Sequence, residues 1–220
     1  MPIQQRSAQT RSSYEQLRRQ LLHGQLAPGA RLIEEKWAEI LGVNRSALRE
    51  SLSILAHEGL LEVGPHGGFF VPDLDEGALS EVLEVRLSLE VGALQILEIR
   101  QSIPEEGLQQ LTAACNLMEQ LLNAGFEYGF VEADRKFHDI LVEMAGNARL
   151  LRIYRQAPLP LSPLNEPDEA ARLQNMTGTL RDHRQLCQLL QEGNLTAARA
   201  ALRTHLLLSH RTLRTTLGTD

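Results

Sequence analysis

The sequence predicts a mostly α protein in two parts: a small N-terminal unit of three helices and a β-hairpin, then a C-terminal all-α antiparallel helical bundle. Three observations carry this. Aromatic residues make up only 4% of a chain rich in Leu and Ala, which favours helix over sheet. From about Asp75 nearly to the end, apolar residues recur at intervals of three and four, the period of amphipathic helices. The short apolar runs LLEV and FFV, joined by a glycine-rich turn, fall between residues 60 and 71. A chain of 220 residues can bury two cores, and we expect a flexible arm over 1–11, a first domain over 12–72 and a second over 73–220.

Ser12 and Glu15 have the spacing of a capping box, and Tyr14, Leu17 and Leu21 continue as an apolar stripe, so a first helix is expected from Ser12 to about His23. The stretch GQLAPGARL ends it. A second helix spans Glu34 to Leu41 and stops at Gly42, and a third opens near Asn44 and runs to His57. Two helices joined by a tight Gly-containing turn make a helix-turn-helix candidate. Leu48, Leu52 and Leu55 mark the buried face of the third helix. Arg45 and Arg49 lie on the opposite face near its N-terminus, the end that enters a major groove in this motif, where they can reach phosphates or guanine edges. The hairpin that follows is a wing. Gly67 and Gly68 let its backbone approach a sugar-phosphate chain closely, and His66 offers a polar tip.

Net charge is −6, but it is unevenly spread. Residues 1–72 hold 8 Lys and Arg against 7 Asp and Glu, leaving 14 against 21 for the rest, so the halves carry +1 and −7. Only the N-terminal unit suits a phosphate partner. No apolar run reaches the 18 or so residues of a membrane span, and the N-terminus lacks the apolar stretch of a leader, so we expect a cytoplasmic protein. Cys115 and Cys187 lack the paired spacing of a zinc or redox motif and read as buried thiols.

The run PGARLIEEKWAEILGVNRSALRESLSILAHEGLLEVGPHGGFFV resembles the winged helix-turn-helix of the GntR family of bacterial transcription regulators. That resemblance implies that Arg45, Ser46 and Arg49 contact operator DNA in the major groove and that the wing at His66, Gly67 and Gly68 meets the minor groove. Trp37 departs from the smaller aliphatic residue usual there. Glu35 stands where some members place a DNA-contacting arginine.

In the bundle, a helix over Glu76 to Arg100 has an apolar stripe through Leu79, Val82, Leu83, Leu89, Ala93 and Leu97, with Arg86 and Glu90 on it. Either the two form an i, i+4 ion pair, or Arg86 faces a cavity and clamps a ligand carboxylate with its planar fork. A second helix is expected over Pro104 to Leu122. A third carries EADRKFHDILVEM, in which Asp134, Phe137, His138 and Leu141 share one face, turning a carboxylate and an imidazole toward the core. It continues to the proline-rich segment at 158–167. Gly193 then separates two helices with Asn194 capping the second. His183 lies ten residues before that turn and His205 twelve after, about 15 and 18 Å from it at 1.5 Å per residue, so both point inward at one level. Asp134, His138, His183 and His205 are therefore expected to converge and to bind one divalent metal per chain, which supplies what burial denies them. Three imidazoles and a carboxylate suit zinc first, and nickel, cobalt or manganese as well. His23, His57 and His210 read as surface residues.

ADRKFH with the following AGN, and DHRQLCQLLQEGNLTAARAALRTHL, resemble the FCD domain of the FadR-like branch of GntR regulators. The resemblance implies a metal-assisted site for a small organic acid, with Arg86 on the effector, and a homodimer reading a near-palindromic operator. The function expected is an operator-binding regulator, in the usual arrangement a repressor, and not an enzyme. A helical metalloenzyme activating water is the alternative, but Glu143 and Asp139 fall off the ligand face and leave no general base. A purely structural metal is a further alternative.

Overall fold

The computed structural model describes residue 3 and residues 6–22, 24–73, 76–156 and 168–216, with the backbone alone at 76, 78, 79 and 209–216. His23, the side chain of His210 and the proline-rich segment at 158–167 lie outside the described residues. The chain divides into two compact units, centred on residues 1–75 and 76–220.

The first unit runs α1 (Ala8–Leu22), β1 (Arg31–Leu32), α2 (Glu34–Leu41), α3 (Arg45–His57), β2 (Glu62–Val63) and β3 (Phe69–Phe70). Helix α1 opens four residues before the expected Ser12. The hydroxyl of Ser7 accepts from the Thr10 amide at 3.1 Å and serves as the cap, while Ser12 sits inside the helix and accepts from Gln16. Residues 8–11 therefore belong to the helix and not to a flexible arm. Their turn is tied to α3: Thr10 donates to Glu50 at 2.8 Å, and the hydroxyls of Ser13 and Ser51 lie 2.6 Å apart in the core. Gly42, at φ 63°, ends α2, and Asn44 caps α3 by accepting from the Ala47 amide at 2.8 Å. Leu17, Leu48, Leu52 and Leu55 are fully buried between α1 and α3, each burial contributing about 1.5–3 kcal/mol.

The wing is an antiparallel sheet of order β1-β3-β2, pairing Arg31 with Phe70 and Val63 with Phe69. Strand β1 was not expected: two residues are too short for any period to show. Gly67 and Gly68 form the turn with φ of 80° and 89°, a conformation that glycine alone adopts without strain.

The second unit is all helix: α4 (Glu76–Arg100), α5 (Glu105–Asn123), α6 (Glu127–Met144), α7 (Ala148–Tyr154), α8 (Glu169–Gln191) and α9 (Leu195–Thr216). Helix α6 does not continue to the proline-rich segment. Gly146, at φ 59°, stops it, and Asn147 starts α7 by accepting from the amides of Arg149 and Leu150 at 3.1 and 3.2 Å. The expected hairpin of α8 and α9 is present, with Gly193 at φ 70° and Asn194 accepting from the Ala197 amide at 3.1 Å. Phe130, Phe137, Leu94, Leu97, Leu111 and Leu141 fill a core to which α4, α5, α6, α8 and α9 all contribute. Among the described residues, no helix is long and apolar enough to cross a membrane.

Candidate metal centre and nucleic-acid interface

Four expected ligands meet in the bundle. Asp134 and His138 stand one turn apart on α6, His183 comes from α8 and His205 from α9, and one ligand atom of each lies within 4.8 Å of all the others. The Nε2 atoms of His138 and His183 are 3.3 Å apart, and Asp134 Oδ1 lies 3.9 and 3.6 Å from them. The three imidazoles are buried. Asp134 Oδ1 is buried without a hydrogen-bond donor, so an acceptor oxygen faces ring nitrogens that can satisfy one another only in part. That donor set fits a divalent cation, which would give every inward lone pair a partner.

The orientation of each ring has its own cause. Glu90 Oε2 lies 2.6 Å from His138 Nδ1, which leaves Nε2 for the interior. Asp182 Oδ2 lies 3.4 Å from His205 Nδ1 and does the same on α9. A carboxylate behind a ligating histidine sets its tautomer and raises its basicity. Among the described residues His183 has no such carboxylate; its ring stacks on Phe137 at 3.9 Å with an interplanar angle of 6°.

Glu90 is fully buried and bridges Arg86 and His138. Its Oε1 accepts from Arg86 Nε at 3.1 Å and from the Tyr154 hydroxyl at 3.2 Å, and it lies 2.8 Å from Arg86 Nη2 as an ion pair. Arg86 Nη2 also donates to the Tyr154 oxygen at 2.7 Å. Arg86 is itself buried and thus forms the expected ion pair with Glu90, with Tyr154 as a further partner. Burial pushes the Glu90 carboxyl up, but His138 and Arg86 overcome it and bring its pKa down to about 2. Burial also pushes His138 down, yet the charge and hydrogen bond of Glu90 hold it above its ordinary value. Burial, joined by repulsion from His138 and His205, keeps His183 well below its ordinary value. Sequence reading missed Glu90, Asp182 and Tyr154 as parts of this site. Glu90 carried a signal, a carboxylate on the apolar stripe of α4, and was assigned to Arg86 alone; nothing local marks Tyr154 or Asp182.

In the first unit, Arg45, Ser46 and Arg49 are exposed along α3, at its N-terminal end, and His66 and Gly67 are exposed at the wing tip. Each arginine has an acidic neighbour on α2: Arg45 pairs with Glu35, and Arg49 Nε lies 3.8 Å from Glu34. Arg31 of β1 is a basic residue that sequence reading passed over. Its guanidinium lies 5.8 Å from the Phe70 ring centre and close enough to Gly68 that a β-carbon there would stand 3.3 Å from Nε. Exposed His57 matches its expected surface placement.

Comparison with known proteins agrees with this division. The family described as "Bacterial regulatory proteins, gntR family" matches residues 9–71, and the FCD domain matches residues 81–208. The "Uncharacterized HTH-type transcriptional regulator in unstable DNA locus" of Streptomyces ambofaciens is 31% identical over 211 residues, covering 89% of this chain and 81% of that protein. The "Probable D-xylose utilization operon transcriptional repressor" of Paenarthrobacter nicotinovorans is 28% identical, over 84% of this chain and 80% of that one. Among solved structures, E. coli McbR/YncC superposes with a TM-score of 0.75 at 22% identity, over 96% of this chain and all of that one, which is a likeness of fold.

Proposed function

The chain belongs to the gntR family of bacterial regulatory proteins and carries an FCD domain, and on that premise we propose that it is a homodimeric repressor whose operator binding is set by a small carboxylate bound at a metal in the second unit. The observation that carries the reading is the meeting of Asp134, His138, His183 and His205 from three helices, with ligand atoms within 4.8 Å of one another. A zinc or similar ion there leaves open positions for a carboxylate. Glu90 and Asp182 hold two of the imidazoles with their Nε2 atoms inward. Arg86 is neutralised by Glu90 and held by Tyr154, so the ion and its open positions, not Arg86, select an anionic effector over a neutral one.

In the first unit, Arg45, Ser46 and Arg49 read the major groove of operator DNA, and His66, Gly67 and Gly68 place the wing on the minor groove. The excess of acid in the second unit keeps that part away from phosphates. Control then requires that the effector bind one arrangement of the dimer better than the other; a difference of about 1–3 kcal/mol changes operator affinity by roughly 5- to 150-fold.

Elemental analysis of the full chain, with a His183→Ala, His205→Ala variant beside it, tests the reading when both are screened with small carboxylic acids by thermal shift. Near one metal per chain, lost in the variant together with acid-induced stabilisation, is the expected result. A metal that stays while no acid raises the melting temperature would make the ion structural. A wild type that takes up no metal on reconstitution would reduce the four residues to a polar network.

A further inference from the structure

Two thiols outside the ligand set face each other in the bundle core. Cys115 of α5 and Cys187 of α8 are 72 residues apart in sequence, and their sulfurs are 3.7 Å apart. They are held face to face by the seam on either side. One turn away Gln191 Nε2 donates to Thr112 Oγ1 at 3.4 Å, and in the other direction Arg184 Nη2 donates to Glu119 at 2.7 Å. The pairs 112 with 191, 115 with 187 and 119 with 184 step along two antiparallel helices, so neither helix can slide without breaking contacts on both sides of the thiols. A disulfide needs sulfurs about 2 Å apart, and a shared register supplies most of that approach before any reaction.

We propose that Cys115 and Cys187 form a reversible disulfide that latches α5 to α8 when the protein meets a hydroperoxide. The two sulfurs share one S–H···S contact in which either can donate. The first thiol of the pair to ionise is the nucleophile. Its thiolate attacks the terminal oxygen of the hydroperoxide, an S–O bond forms, the O–O bond breaks, and the alcohol, or water from hydrogen peroxide, leaves. The sulfur of the other cysteine then attacks the resulting sulfenic acid, the S–S bond forms, and the S–O bond breaks with loss of water carrying that thiol's proton. Two thiols are oxidised by two electrons and one hydroperoxide is reduced. In a reducing compartment a bond of this kind is transient, which suits a signal better than a staple. Neither thiol is a metal ligand, so the inference stands apart from the metal reading.

Treating the full chain with hydrogen peroxide, metal-free and metal-loaded, then unfolding it for thiol counting and peptide mapping, tests this directly. Both thiols should disappear together, a cross-linked peptide joining 115 to 187 should appear, dithiothreitol should restore both, and the oxidised protein should melt higher than the reduced one. Cys115→Ser and Cys187→Ser should each abolish the cross-linked peptide. Two thiols still titrating after peroxide and unfolding, or oxidation to sulfonic acids with no 115–187 link, would overturn the latch. The wild-type map decides this even where a serine variant folds poorly.

Discussion

Glu90 Oε2 stands 2.6 Å from His138 Nδ1 in a site where neither side chain exceeds 3% exposure. The contact joins α4 to α6 and links a metal-ligand candidate to Arg86 and Tyr154 through a single carboxylate. A Glu90→Gln substitution keeps the shape and removes the charge. It should lower metal affinity by about 10- to 100-fold, the usual cost of losing a carboxylate behind a ligating histidine. It also leaves Arg86 buried without its counter-charge, a loss of about 3–5 kcal/mol in the metal-free protein. Titration with zinc and chemical denaturation of the metal-free variant check the two halves separately. Unchanged zinc affinity would remove Glu90 from the site.

The same contact sets the pH dependence of metal uptake. His138 is held above its ordinary pKa by Glu90, so the metal-free site keeps a proton on it past the normal range, and an incoming cation must displace that proton. His183, held well below, is already neutral and adds no competition near neutral pH. Metal affinity should therefore rise with pH until the folded pKa of His138 is passed and then level off. Stability of the metal-free protein runs the other way: a raised pKa contributes stability that is fully present below the ordinary value near 6.5 and is lost as pH rises through the folded one. For Glu90, depressed to about 2, the contribution is present above 4.5 and lost as pH falls toward 2. Isothermal titration at several pH values, with proton release measured from buffers of different ionisation enthalpy, is the check. Uptake of metal with no proton release at pH 7 would contradict it.

Much of this centre was legible in the sequence because helical geometry carries local spacing into space. Asp134 and His138 are one turn apart on α6, and His183 and His205 lie at matched distances from the Gly193 turn between α8 and α9, so the alignment within each pair follows from arithmetic on its own helix or hairpin. The partners behind them were not legible. Glu90 to His138, Tyr154 to Arg86 and Cys115 to Cys187 are contacts between helices far apart in sequence, and no period within one helix reports which residue of another it faces. In the first unit the stripe of α3 and the glycines of the wing were visible for the same local reason, whereas β1, with two residues, had no pattern to show. The cap of α1 was misplaced because Ser12 and Glu15 satisfy the capping-box spacing, yet Ser7 closes the helix one turn earlier, where Thr10 and Ser13 can bond to α3.

On the recognition helix, Arg49→Ala should weaken operator binding while metal content stays unchanged. If the guanidinium contacts a phosphate, the loss should be similar on every sequence and the slope of log affinity against log salt should fall by about 1; if it reads a base, the loss should be about 1–3 kcal/mol and confined to sites with that base. Fluorescence anisotropy with operator and scrambled duplexes at several salt concentrations separates the two. Full operator affinity in the variant would remove Arg49 from the interface.

The acidic neighbours of these arginines make an opposite prediction. Glu35 pairs with Arg45, and Glu34 lies 3.8 Å from the Nε of Arg49, so each proposed DNA contact has an intramolecular anion competing with phosphate. All four side chains are at least 32% exposed, and such pairs are individually weak, so removing one should change affinity only about two- to fivefold. The direction is what matters. Glu35→Gln frees Arg45 to neutralise a phosphate, and every counterion so released steepens the salt slope by about 0.9. The gain should be largest at low salt, should fade as salt screens both the acid and the phosphate, and should be greater on scrambled duplex than on operator, where Arg45 is already drawn to its place in the groove. Glu35 should then act as a brake on non-specific binding. The same anisotropy series decides it: a Glu35→Gln variant that binds scrambled duplex no more tightly than wild type at low salt would show that the pair with Arg45 has no bearing on DNA.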